Sequence, residues 1–194
     1  MKKLIVILAL AALMLTGCAE TIPEFETFLP QATLDAQSGL KQWRANDQSM
    51  IVTYPHTWFA STSGYAILQL FTPLGDATPQ YREYVVFGAM QPQEGDTAQS
   101  VADAAWNDMK KMFPDFELEQ SKELSLAGYV MQLRVFSGHV NDEMVGPEGD
   151  YVWHQYSFMA SGLSYSITFS CTREMLEQYG KDFELMLDKL ELYL

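Results

Sequence analysis

The most regular alternation of apolar and polar residues in the chain runs from Leu163 to Cys171. Apolar side chains occupy its odd-numbered positions, and small hydroxyl residues occupy the even-numbered ones. A period of two predicts a β-strand with one buried face and one polar face. Cover by water or by a helix explains such a polar face, and a landing face for a partner is the alternative. The candidate partner face consists of Ser164, Ser166, Thr168 and Ser170.

A stripe of apolar residues at helical spacing follows this strand. It predicts a long C-terminal helix that begins behind Thr172, a residue suited to the N-cap position. We expect this helix to lie across the apolar face of the strand. The stripe consists of Leu176, Tyr179, Phe183, Met186, Leu187 and Leu190.

Earlier apolar segments, each bounded by turn residues, predict five further strands. A helix is predicted behind the N-cap residue Thr97, and Pro114 ends it. The predicted strands are 50–54, 65–72, 84–90, 129–136 and 151–160. The predicted helix face contains Val101, Ala104, Ala105, Asp108, Met109 and Met112.

The order of these elements predicts an α+β fold, in which an antiparallel sheet is sandwiched between helices. Ser161-Gly162 forms a tight turn between the last two strands, which are therefore antiparallel.

The beginning of the chain follows a different pattern. Lys2 and Lys3 precede an uninterrupted apolar run, Leu4–Leu15, and this layout is typical of an export signal. The run is shorter than the roughly 20 apolar residues that a membrane-spanning helix needs. It leads into the tetrapeptide Leu15-Thr16-Gly17-Cys18.

This tetrapeptide resembles the lipobox of bacterial lipoproteins. The resemblance implies cleavage after Gly17, lipid on the Cys18 thiol, and a lipid-anchored protein of the cell envelope. A plain secretory signal with a chance cysteine is the alternative. Ala19 is not the aspartate that retains many lipoproteins in the inner membrane, so in a Gram-negative source the resemblance implies the periplasmic face of the outer membrane.

These patterns divide the chain into three parts. Residues 1–17 are predicted to be a cleaved signal peptide, residues 18–47 a lipidated N-terminus and tether, and residues 48–194 a globular domain. Within the tether, residues 37–46 are compatible with a short helix.

The formal net charge of −13 bears on the partners of the protein. Nucleic acid is excluded because phosphate contacts require clustered Lys and Arg. Anionic lipid head groups also repel such a chain, so its attachment to a membrane depends on the acyl chains on Cys18.

Candidate catalytic and metal-binding residues are few. His56, His139 and His154 do not have the spacing of a helical metal site, and burial predicts an inert thiol for Cys171. The acidic loop 141–150 lacks the frame of a calcium loop, which favours a solvated hairpin tip. We therefore expect no catalytic, cofactor or metal site, and no enzymatic activity.

The order of the motifs resembles the PsbP/DcrB/Mog superfamily over about residues 48–192. Two short motifs carry the resemblance, Tyr54-Pro55-x-x-Trp58 and Leu126-Ala127-Gly128-Tyr129, together with a closing block. The resemblance implies a non-enzymatic module that docks on larger assemblies. The closing block consists of residues 165–170 followed by Glu174, Tyr179, Phe183, Met186, Leu187 and Leu190.

Two functions are consistent with these observations. The first is a membrane-anchored accessory lipoprotein that binds or stabilises an envelope protein assembly. The alternative is a binding protein for a small apolar ligand, which the methionine and aromatic content suggests.

Overall fold

Two antiparallel sheets and two α-helices make up the part of the chain that the computed structural model describes. This part comprises residues 33–35, 39–62, 66–73, 83–141 and 146–194. The predicted signal peptide, the lipobox and most of the tether lie outside it. The predicted α+β class is confirmed.

The larger sheet has seven strands, in the order β4-β5-β6-β10-β9-β8-β7. All neighbouring strands in it are antiparallel. The strands are β4 (Phe59–Ser61), β5 (Ala66–Phe71), β6 (Tyr84–Met90), β7 (Glu117–Leu126), β8 (Tyr129–Val140), β9 (Gly149–Ala160) and β10 (Leu163–Thr172).

The smaller sheet has four strands, in the order β1-β2-β3-β11. They are β1 (Thr33–Asp35), β2 (Leu40–Arg44), β3 (Met50–Pro55) and β11 (Glu191–Leu192). Helix α1 (Ala98–Met112) connects β6 to β7. Helix α2 (Leu176–Asp188) follows β10 after a 3-10 turn at Arg173–Met175.

Strand β10 lies in the middle of the seven strands and keeps the predicted alternation. Its apolar residues Tyr165, Ile167, Phe169 and Cys171 belong to the main hydrophobic core. Its hydroxyl residues point to the opposite face of the sheet, because successive side chains of a strand alternate between faces. The side of the sheet that contacts the main core is called the core face here, and the other side the α1 face.

Helix α2 covers the core face, as predicted. The ring of Phe183 stacks on that of Phe169 with centroids 4.6 Å apart, and it contacts Tyr156 edge-on at 6.0 Å. Trp58, from one of the short motifs, donates from Nε1 to Asp182 Oδ2 at 2.8 Å. The motif thus fastens the turn after β3 to the outer side of α2.

Two tight hairpins join the late strands. Ala127-Gly128 connects β7 to β8, and Ser161-Gly162 connects β9 to β10. All four residues have positive φ, between 47° and 84°, as the two-residue turn that matches the strand twist requires. The predicted turn at Ser161-Gly162 is confirmed.

The short helix that was compatible with residues 37–46 is not formed by the described residues of that segment. Residues 40–44 form strand β2 and not a helix, and this strand pairs with β3. Trp43 and Ala45 are buried in the main core. Part of the predicted tether therefore packs on the domain, and the domain boundary at residue 48 stays a prediction.

The start of α2 and the buried face of α1 differ from the prediction. Thr172 does not cap α2, because its Oγ1 donates to Glu83 Oε1 at 3.2 Å and the helix begins only at Leu176. In α1 the Thr97 cap is confirmed, but the helix is turned so that Ala102 is buried and Ala104 is exposed.

The packing of α2 generates a test of the architecture. Phe183 is 2% exposed in the main core, whereas the side chain of Lys181 is 74% exposed. Phe183→Ala leaves a cavity and should lower the free energy of unfolding by about 3–5 kcal/mol. Lys181→Ala is the matched control on the same helix and should change it by about 0.5 kcal/mol or less. Denaturant unfolding measures both values, and equal small changes would contradict this packing.

Candidate functional site

Buried polar side chains are distributed very unevenly over the described strands. Every one of them lies on the α1 face of the larger sheet, and none lies on the core face. Because buried polar groups require hydrogen-bond partners, such a concentration is costly wherever a partner is missing. The residues are Ser61, Gln69, Gln132, Arg134, Gln155, Ser157, Ser164 and Ser170.

Helix α1 covers one end of this face, where the strands carry apolar residues. Its Met109 packs with Phe136 and Trp153, and its Trp106 lies 5.5 Å from Phe136 between ring centroids. Phe116 lies against Gly138 so closely that a Cβ at that position would be 2.1 Å from the ring. Only glycine fits there, and α1 is thereby held over β8 and β9.

An ion pair between a buried arginine and a half-exposed aspartate joins α1 to the polar part of the face. Arg134 of β8 is 2% exposed, and its Nη2 lies 2.7 Å from Asp103 Oδ1 of α1. Gln99 Nε2 donates to the same carboxylate at 2.8 Å. The hydrogen bond from Arg134 lowers the pKa of Asp103 below its ordinary value. The guanidinium therefore has a carboxylate partner at the edge of the helix.

Gln155 of β9 occupies the middle of the polar part. The strand registers place it between Arg134 of β8 and Thr168 of β10. Gln155 is 7% exposed, and its Oε1 is buried with no hydrogen-bond partner among the described residues. It is thus a buried acceptor for which the described residues supply no donor.

Small residues surround Gln155 on the side away from α1. Ser157 pairs with Ser166, which in turn pairs with Gly88 of β6. A Cβ at Gly88 would lie 3.2 Å from Ser166 Oγ, so glycine keeps this part of the face low. The result is an uncharged strip of small hydroxyl side chains beside Gln155, in which Ser157 is buried and Ser166 is half-buried.

The four predicted partner-face residues share this face. Ser164 and Ser170 are buried, and Ser166 and Thr168 are half-buried. Their role in binding a partner stays a prediction. Gln155, Arg134, Gln132 and Ser157 were missed, although the same alternation of polar residues in β8 and β9 could have indicated them.

Exposed apolar side chains lie at two ends of the same face. Phe59 of β4 pairs with Phe71, and Met90 of β6 pairs with Ser164. Phe59 and Met90 are each 38% exposed. The hydroxyl strip is therefore bordered by accessible apolar groups.

The three histidines are separate from this strip. His56 is exposed and contacts the Gly39 carbonyl, and His154 is half-buried beside Phe183. Burial lowers the pKa of His154. His139 contacts Asp150 at 2.9 Å, and this hydrogen bond raises the histidine pKa.

Metal-binding side chains do not form a cluster of three or more within the residues that the structure describes. Asp142 and Glu143 of the predicted acidic loop lie outside those residues.

Cys171 is fully buried, as predicted. Burial raises its pKa to about 12. Because the thiolate is the reactive form, this cysteine is inert in the folded protein at neutral pH.

Within the described residues, no helix is long and apolar enough to cross a membrane. The predicted anchor, Cys18, lies outside them.

Comparisons with known proteins establish the fold. No family model matches the chain, and no curated protein matches it. Cyanobacterial PsbP from Synechocystis sp. PCC 6803 superposes with a TM-score of 0.55 at 13% identity, covering 85% of this chain and 99% of that one.

Two further structures are similar. LpqN of Mycobacterium tuberculosis has a TM-score of 0.59 at 12% identity, covering 79% of this chain and 90% of its own. PA94 of Pseudomonas aeruginosa, a putative regulator, has a TM-score of 0.54 at 12% identity, covering 78% of this chain and 96% of its own. The predicted PsbP-like fold is confirmed.

The ion pair between Arg134 and Asp103 predicts a pH-dependent stability. Because folding lowers the pKa of Asp103, the ionised carboxylate stabilises the fold at pH values above its ordinary pKa of 3.8. This contribution is lost as the pH falls through the folded-state pKa. Asp103→Asn should therefore cost about 1–2 kcal/mol at pH 7, less than a fully buried pair because Asp103 is half exposed.

Unfolding curves of wild type and Asp103→Asn between pH 7 and pH 2 measure this difference. We expect it to shrink to nearly zero at the acidic end. Asp115→Asn, at an exposed turn after α1, is the control and should change little at any pH. A deficit of Asp103→Asn that stays constant with pH would show that the charge of Asp103 contributes nothing.

Proposed function

We propose that this protein is a lipid-anchored, non-catalytic accessory protein of the cell envelope, and that its α1 face binds another envelope protein. The observation that carries the proposal is the half-buried pair Ser166 and Thr168 on the α1 face, bordered by exposed Phe59 and Met90. Protein interfaces combine accessible apolar side chains with polar groups that form hydrogen bonds across the contact.

The charge of the chain supports an anchor made of lipid. With a net charge of −13 over the full sequence, the chain is repelled by anionic head groups. Two acyl signals provide stable anchoring, since each buried methylene contributes about 0.8 kcal/mol. Lipid on Cys18 would hold the domain at the membrane while leaving its sheet free to bind.

The similar structures support this proposal only in a general way. LpqN is described as involved in cell envelope biogenesis. That property belongs to LpqN, and at 12% identity the likeness extends to the fold alone. It makes an envelope role for this fold reasonable and identifies no partner.

The alternative function, binding of a small apolar ligand, would require room in the main core. Aromatic rings there are stacked on one another, with Phe158 and Tyr165 5.2 Å apart and Phe169 and Phe183 4.6 Å apart. Contacts this close favour a filled core. We therefore prefer the accessory role.

Lipidation of Cys18 is directly testable. Cells that express the protein should incorporate a clickable palmitate analogue into the wild type and not into Cys18→Ser. The variant should also move from the membrane fraction to the soluble fraction. Cys171→Ser is the control, because its buried thiol is not the predicted acceptor. Equal labelling of wild type and Cys18→Ser would contradict the anchor.

The binding face is testable by site-specific photo-crosslinking in intact cells. A photoreactive amino acid at Phe59 and one at Met90 of the lipidated protein should each give an adduct, and both adducts should contain the same partner protein. The same group at Glu177 is the control, because that side chain is 91% exposed on the outer side of α2. No adduct from the α1 face, or an equal adduct from Glu177, would reject the proposed face.

A further inference from the structure

Helix α2 is held on the core face by a cluster of aromatic rings that includes one ionisable side chain. The rings of Phe169 and Phe183 stack on each other. The imidazole of His154 contacts both of them edge-on, with its centroid 5.9 Å from that of Phe169 and 6.2 Å from that of Phe183. His154 is half-buried on β9, directly opposite Phe169 of β10. A group that can gain a proton near neutral pH therefore lies in the contact that holds α2 on the sheet.

Two opposing influences act on the proton of this imidazole. Burial is the larger one, and it lowers the pKa of His154 below the ordinary value of 6.5. The charges of Glu119 on β7 and Glu184 on α2 act in the opposite direction without cancelling it. Glu119 is also paired with Arg173 of the 3-10 turn, which packs against β9, and the residues that pair with His154 on β8 and β10 are uncharged. The folded protein therefore disfavours the imidazolium.

The other helix has no such group in its contact with the sheet. Among the described residues, the apolar cluster under α1 contains no histidine. His139 is exposed beside Asp150 at the far end of β8. The ion pair of α1 responds only to stronger acid, because the pKa of Asp103 lies below 3.8. Mild acid therefore acts on one helix and spares the other.

We infer that His154 is an acid-sensitive latch of helix α2: uptake of a proton by its imidazole weakens the contact of α2 with the core face and leaves the contact of α1 unchanged. This inference goes beyond the proposed function, since it concerns the side of the sheet opposite the proposed binding face. Its sign follows from proton linkage. Because folding lowers the pKa of His154, the contact is strongest above pH 6.5 and weakens as the pH falls through the folded-state pKa.

Amide hydrogen exchange on the full chain, purified from cells in a neutral detergent, measures the two helices separately. After correction for intrinsic exchange rates, protection of α2 should fall about threefold or more between pH 7.5 and pH 5.5, while that of α1 stays within about twofold. His154→Gln and His154→Phe remove the titrating group, so protection of α2 should stay constant in both. The second variant keeps an aromatic ring in case the amide of the first prevents folding. His139→Gln is the matched control and should keep the wild-type fall.

Three results would overturn the latch. Protection of α2 that stays constant or rises in wild type would show that the carboxylates, or contact of the imidazolium with Phe183, compensate for burial. An equal fall in α1 would show a general effect of acid on the fold. A fall that persists in the His154 variants would assign the effect to another group. The proposed function would stand in each case, because none of these results concerns the α1 face.

Discussion

The two faces of strand β10 must meet different environments, and the rest of the structure depends on this constraint. The strand is central in the larger sheet. The side chains of its neighbours on both sides therefore alternate between the same two faces, the core face and the α1 face. Phe169 and its apolar companions require a cover, which α2 provides through Phe183. The hydroxyl residues require a polar environment, and α1 leaves one by packing over β8 and β9 at the other end of the face.

The α1 face gains its chemistry from this division. Helix α1 excludes water from Arg134 and fixes it through Asp103, so the polar strip has a rigid border. Beyond the helix, Gly88 and the serines keep the side chains of this face small, and the buried Oε1 of Gln155 has no donor among the described residues. A structure optimised for stability alone would place an apolar side chain at Gln155. The half-buried hydroxyl pair beside exposed apolar side chains is what makes this face the best candidate for binding.

The sequence predicted those elements whose apolar residues recur with a clear period. Strand β10 and helix α2 were recognisable because burial of one face imposes their periods. Strand β7 was not predicted, because an edge strand exposed along most of its length carries no apolar period. Residues 40–44 were mistaken for a helix, since the spacing of Leu40 and Trp43 fits either structure in so short a segment.

The polar site was only partly predictable for a different reason. The serines of β10 were identified from their alternation, but their neighbours Gln155 and Arg134 lie on strands that pair with β10 and β9 through register, which a single sequence does not display. A polar residue in a strand is ordinarily taken to face water. Here it lies under or beside a helix, and only the register brings the groups together.

Thiol accessibility in intact cells tests most directly whether the α1 face is covered by a partner. Met90→Cys introduces an exposed thiol on this face, while Cys171 is buried and Cys18 is predicted to carry lipid. The account predicts that a maleimide labels this thiol at least tenfold more slowly in cells than in the purified protein, whereas Glu177→Cys on the opposite side reacts equally in both. Equal rates for Met90→Cys in cells and in solution would contradict it.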